Sequence, residues 1–148
     1  MAQKGNLIPV YHEFLADTET PVSAYLKLKD DSYSYLLESA ESGMRWGRYS
    51  FIGCTPYLCA ISFDSYMEID ENREKKILKD VGNPLKILRN LSEKYKPVPV
   101  KDLPPFQGGL VGFFNYDLVR KWEHLPNISP VNKTQPEAIF IACRHLII

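Results

Sequence analysis

From Tyr33 to Ile69 the sequence carries no helical period. SYSYLLES, RYSFIG, YLCAISF and SYMEID follow one another, rich in β-branched and aromatic residues, with turn segments at Glu41-Ser42-Gly43 and Cys54-Thr55-Pro56. Such side chains fit a pleated, half-buried surface, and short turns between the runs predict successive antiparallel strands. Each strand then needs something to cover its apolar face, and two helix starts supply it. Thr20 precedes Pro21, with Val22, Tyr25 and Leu26 on one face, and the Asp30-Asp31 pair closes the segment. Asn83 precedes Pro84, with Leu85, Leu88, Leu91 and Tyr95 in one stripe that Lys96-Pro97-Val98-Pro99 stops. A polar cap followed by proline at the first helical position suits a helix N-terminus, whose first N–H groups have no partner inside the helix. The expected fold is therefore α+β, a mostly antiparallel β-sheet with two or three packed helices, over 21–29, 84–95 and a short one over 116–123.

The rest of the chain divides around this block. Leu7 to Phe14 reads as a strand, with Pro9 at its start or on an edge because proline has no N–H for a ladder. Asp70 to Lys76, DENREKK, reads as a solvated hairpin tip. Ala2 to Asn6 resembles a last helical turn with Gly5 as its C-cap. Residues 97–105 hold four of the eleven prolines and form an extended connector. In PFQGGLVGFF, the glycines Gly108, Gly109 and Gly112 within a strand pattern mark a bulge, or a place where another backbone or a ligand comes close. They do not form a P-loop, since its lysine and hydroxyl are missing. AIFIACRHLII at the other end is an apolar strand run with no turn or polar residue to finish it. It reads as a strand whose neighbours are missing, from a chain shortened at its C-terminus, and such an edge should self-associate.

Length and charge narrow the functions. A chain of 148 residues suits one domain. Eighteen basic residues balance eighteen acidic ones, which leaves no net field to attract nucleic acid or an anionic membrane. No apolar run approaches the roughly 20 residues that span a bilayer, and the N-terminus lacks a signal peptide's apolar core, so a cytoplasmic protein is expected. Cys54, Cys59 and Cys143 show no metal-binding or disulfide spacing, and Cys54 and Cys59 read as core. His12, His124 and His145 are scattered. No catalytic motif and no metal set is visible. Glu38 and Glu41, three apart on a strand, would point to opposite faces and make a poor acid–base pair.

One segment suits ligand binding. Leu36-Leu37-Glu38-Ser39 places a carboxylate and a hydroxyl directly after two apolar strand residues, and Arg45, Arg48 and Tyr49 follow closely. Glu38 can receive an ammonium group, Ser39 can hydrogen-bond a polar edge, and an arginine can take a carboxylate. Together these are the groups that hold a free amino acid among apolar walls. The same residues also suit a strand end with exposed charges and a turn.

At these residues the sequence resembles component I of anthranilate synthase. LIPVYHEFLADTETPVSAYLKL is similar to that family's opening strand and helix, LLES with RWGRYSFIG to its inhibitor segment, and PFQGGLVGFFNYDLVRKWEHLP to its glycine-rich block. The resemblance runs from Gly5 to about Ile148. It implies that residues 1–148 are an incomplete N-terminal domain, without the part that holds chorismate and magnesium. It also implies a tryptophan inhibitor site with Glu38 and Ser39 as polar contacts, Arg45, Arg48 and Tyr49 being added by proximity. No catalytic residue and no cofactor are expected in this stretch. Magnesium and a glutamine amidotransferase partner are implied for the whole enzyme, and tryptophan binding by the stretch alone is expected to be weak or absent. The related aminodeoxychorismate synthase component I, a free-standing amino-acid-binding regulator and a purely structural interaction module are the competing readings.

Overall fold

Two prolines open the two α-helices, as their caps predict. The computed structural model describes residues 5–30, 32–39, 49–101, 103–104, 106–126 and 135–148. Helix α1 spans Pro21–Leu28 and α2 spans Pro84–Lys94. The Thr20 hydroxyl accepts from the Ser23 N–H at 3.1 Å, and Ser23 Oγ accepts from the Thr20 N–H at 2.9 Å. Two N–H groups at the helix start are thereby satisfied reciprocally. Asn83 Oδ1 accepts from the Leu85 N–H at 3.0 Å and opens α2 in the same spirit.

Among the described residues, six strands form a mostly antiparallel sheet: β1 Tyr35–Leu37, β2 Phe51–Ser62, β3 Tyr66–Glu71, β4 Glu74–Lys79, β5 Val111–Phe114 and β6 Ala138–Ile147. Their order is β4-β3-β2-β6-β5, with β1 also on β2. The chain divides into two compact units, and β2 and β6 each contribute to both.

The first unit comprises Met1–Pro56, Lys94–Gly109 and Cys143–Ile148. Here β1 pairs with the start of β2, Leu37 standing opposite Phe51 and Tyr35 opposite Gly53. Gly53 is needed there, because a β-carbon would overlap the Tyr35 ring. Tyr25 Oη and Ser34 Oγ, 3.1 Å apart, tie α1 to the approach to β1. Asn6 joins the N-terminal segment to the end of α2: its side chain donates to the Lys94 carbonyl at 2.8 Å and accepts from the Lys96 N–H at 2.6 Å. Ile52, Cys54 and Val98 are buried.

The second unit comprises Tyr57–Glu93 and Leu110–Ala142. Leu58, Ala60, Met67, Ile69, Val81, Leu88, Leu118, Ala138, Ile141 and Ala142 make its core. Strands β3 and β4 close through Asn72 and Arg73, both at positive φ (54° and 71°), the backbone of a two-residue hairpin turn. Gly112 sits opposite Phe140, where a β-carbon would collide with the Ile139 carbonyl. The close approach expected for one of the three glycines is therefore that of a neighbouring strand's backbone. The 3-10 helix Tyr116–Lys121 is anchored by Lys121, whose ammonium donates to the Asp64 carbonyl at 2.8 Å and stands 3.1 Å from Glu137 Oε2. That carboxylate oxygen is buried and has no hydrogen bond of its own, so the Lys121 charge is what compensates it.

Four expectations are corrected. Leu7 to Phe14 is not a strand: one parallel bridge, Leu7 to Pro97, forms, and Val10, Phe14 and Leu15 are exposed. The next donor along would be Pro9, which has no N–H, so the ladder stops. Cys54-Thr55-Pro56 is not a turn, for β2 runs straight through it. Thr55 absorbs the irregularity in a left-handed conformation at φ 56°. The short helix near 116–123 is of 3-10 type and ends at Lys121. Finally, β6 does not lack neighbours, since it lies between β2 and β5 in the sheet order. The helical turn suggested before Gly5 lies outside the described residues.

Candidate functional site

The β1–β2 pair brings the ligand-binding candidates to one end. Leu37 and Phe51 form its last registered pair. Glu38 and Ser39 leave β1 at that end, and Tyr49 enters β2 there. Consecutive Cα atoms are about 3.8 Å apart, so Ser39 and Tyr49 each lie within about 8 Å of the Leu37–Phe51 pair. Glu38 and Ser39 are exposed, and Tyr49 is 37% exposed. Arg45, Arg48 and Glu41 lie outside the described residues. The structure thus gathers three of the five candidates.

It also adds two residues to them. The Phe51 ring meets Phe106 edge to face, with centroids 5.1 Å apart and planes at 84°. Tyr49 leans on the same Phe51 ring at 6.2 Å and 39°. Phe106 arrives from the connector, where Gln107 Nε2 donates to the Val100 carbonyl at 3.3 Å and Gly108 and Gly109 take φ of 113° and 140°. Those two angles are open to glycine and strained for other residues. Three aromatic rings, Tyr49, Phe51 and Phe106, thus meet at the end of the strand pair from which Glu38 and Ser39 continue. No spacing in the sequence links position 106 to position 51. The only signal was the pair of glycines two and three residues after Phe106, which frees the chain to turn.

The chemistry beside this end is that of protonated, unreactive groups. Burial pushes the Tyr35 hydroxyl up to about 12, aided by Cys143 and Cys54. Burial likewise raises the Cys143 thiol to about 11, aided by Cys54. The thiolate is the nucleophilic form of cysteine, so near neutral pH Cys143 is not one. The three cysteines are free thiols; Cys54 is buried as core packing predicts, whereas Cys59, also read as core, is only half-buried. Magnesium takes several oxygen ligands, and among the described residues no group of three or more His, Cys, Asp or Glu can hold a metal. No described helix is long and apolar enough to cross a membrane. The described residues at this end offer a carboxylate and a hydroxyl, and the arginines that could take a ligand's carboxylate lie outside the described residues.

No family model matches the sequence. Curated relatives do. The chain is 40% identical over 142 residues to anthranilate synthase component 1 of Acetivibrio thermocellus, covering 95% of this chain and 28% of that protein. It is 41% identical over 151 residues to the Synechocystis protein of the same name, covering 100% of this chain and 29% of the relative. To that of Neisseria meningitidis serogroup B it is 44% identical over 138 residues, covering 91% and 28%. Among solved structures, anthranilate synthase component I from Streptococcus pneumoniae TIGR4 matches with a TM-score of 0.53 and 21% identity, over 93% of this chain and 28% of that one. The fold is thus an α+β segment shared with a much longer enzyme chain. The chain is homologous to the N-terminal region of anthranilate synthase component I and spans little more than a quarter of the length of the relatives it matches.

Proposed function

We propose that this stretch is the N-terminal regulatory part of an anthranilate synthase component I, contributing to the site at which tryptophan inhibits the pathway that makes it. The whole enzyme would convert chorismate, with ammonia or with glutamine through an amidotransferase partner, to anthranilate and pyruvate. Chorismate and magnesium would be held by the remainder of such an enzyme, and the stretch alone would make no anthranilate. The observation that carries the proposal is the convergence of Glu38, Ser39, Tyr49 and Phe51 at one end of the β1–β2 pair. Glu38 would face the ammonium of the ligand and Ser39 would hydrogen-bond in the same pocket. Arg45 and Arg48 are the candidates for its carboxylate. The relatives' shared name favours anthranilate synthase over aminodeoxychorismate synthase.

Exposure limits what the stretch does by itself. Leu37 at 41% and Tyr49 at 37% leave an indole only partly covered. Each Å² of apolar surface left wet forfeits about 25 cal/mol, and losing several kcal/mol takes a micromolar site to roughly millimolar. The test is a chimera in which residues 5–148 replace the matching part of a curated relative. It should form anthranilate and be inhibited by tryptophan, while the 148-residue stretch alone forms none. An active chimera indifferent to tryptophan would remove the regulatory role, and product from the stretch alone would remove the division of labour.

A further inference from the structure

The two outer strands of the sheet differ in chemistry. Among the described residues, β4 stands at one end of the order and β5 at the other. Strand β4 carries Lys75, Lys76 and Lys79, the kind of charge by which a free edge resists pairing with another chain. Strand β5, Val111-Gly112-Phe113-Phe114, carries neither a charge nor a proline. Successive side chains of a strand point to opposite faces, so Phe113 and Phe114 lie one on each face, and they are 53% and 42% exposed. Phe114 keeps that exposure although its ring leans on Phe140 of β6, with centroids 4.7 Å apart. Tyr116 and Trp122, just beyond the strand, are exposed as well.

The backbone of β5 is open along the same edge. The Asn115 N–H donates to the Glu137 carbonyl at 2.7 Å, which continues the register that sets Phe113 opposite Ile139. Hydrogen-bonded and non-hydrogen-bonded pairs alternate along an antiparallel ladder. Val111 and Phe113 therefore turn their N–H and C=O groups towards β6, and Gly112 and Phe114 turn theirs away from it.

We infer that β5 is the edge at which the sheet continues in the whole enzyme. An extended apolar segment of the enzyme chain outside residues 1–148 pairs with the backbone of Gly112 and Phe114 and covers the two phenylalanine rings. The inference rests on the reading of this stretch as part of a longer component I. Length favours that occupant, since the stretch spans 28% and 29% of two relatives and most of such a chain is left to supply the strand. Main-chain hydrogen bonds would hold the added strand, and its alternate side chains would meet Phe113 on one face and Phe114 on the other. A second copy of the stretch offers only the four residues of its own β5.

The test compares amide hydrogen exchange, resolved to single residues, in the 148-residue chain and in the chimera of residues 5–148 with a relative's remainder. In the chain alone, Gly112 and Phe114 should exchange about tenfold or more faster than Phe113, whose N–H is bonded to β6. In the chimera, Gly112 and Phe114 should slow by about tenfold or more, with Phe113 slow in both proteins. Phe113→Lys, which places a charge on the edge, should return Gly112 and Phe114 to fast exchange in the chimera. The wild-type comparison decides the matter even if that variant fails to fold. Equally fast exchange of the two amides in both wild-type proteins overturns the pairing, and anthranilate formed by the same chimera then leaves the proposed function standing. Slow exchange of the two amides in the 148-residue chain overturns it as well, and assigns the edge to a second copy where the slowing grows with concentration.

Discussion

Gly112 lies so close to the Ile139 carbonyl of the facing strand that no β-carbon fits between them. The β5–β6 register, Gly112 opposite Phe140 and Val111 opposite Ile141, depends on that approach. Gly112→Ala should therefore force the strands apart and cost about 2–4 kcal/mol, the upper range for a single substitution. Urea unfolding of the two proteins measures it. A loss below about 0.5 kcal/mol would mean that the register shifts freely.

Arg73 sits at φ 71° in the turn between β3 and β4, a conformation that costs a side chain about 1–2 kcal/mol. Arg73→Gly should recover part of this, about 0.5–1 kcal/mol after the extra freedom of glycine in the unfolded chain is subtracted. A rise of a few degrees in melting temperature is the expected result. A fall would show that Arg73 makes a stabilising contact worth more than its backbone strain.

Alkaline pH should unfold the chain in a defined window. The Cys143 thiol moves from 9.0 to about 11 and the Tyr35 hydroxyl from 10.0 to about 12 on folding. The unfolded chain then loses these protons before the folded one does, so stability is constant below about pH 9 and falls as pH rises towards 12. Both groups are half-exposed, which blunts the slope. Tyr35→Phe should flatten the upper part of the curve, followed by denaturant midpoints from pH 8 to pH 12. An identical curve for that variant would exclude Tyr35 as a contributor.

The helices and the hairpin tip were legible because their signals are local. Thr20-Pro21 and Asn83-Pro84 each satisfy the first turn of their own helix. The charged run from Asp70 to Lys76 also behaved as read, though β4 continues it with Ile77 and Leu78 on an exposed strand. Two of the four misreadings involve proline in extended chain. Pro9 ended a ladder that the apolar pattern offered, and Pro56 stands inside β2 directly after Thr55, which takes a left-handed conformation. At the candidate site the polar end, Glu38 and Ser39, was visible as a motif. Of its aromatic side only Tyr49 was named, because Phe106 reaches Phe51 from 55 residues away and nothing local announces that contact.

The association of Glu38 and Ser39 with tryptophan is the central claim, and inhibition in the chimera tests it most directly. Tryptophan inhibition curves should be measured for the chimera and for its Glu38→Ala and Ser39→Ala variants. Removing the partner of an ammonium or a buried hydrogen bond costs about 1–3 kcal/mol, so the inhibition constant should rise roughly fivefold to a hundredfold. Turnover without tryptophan should stay within about twofold, since inhibitor and substrate sites communicate through a coupling free energy rather than through shared atoms. Unchanged inhibition constants in both variants would contradict the account and reduce Leu36–Ser39 to the end of a strand.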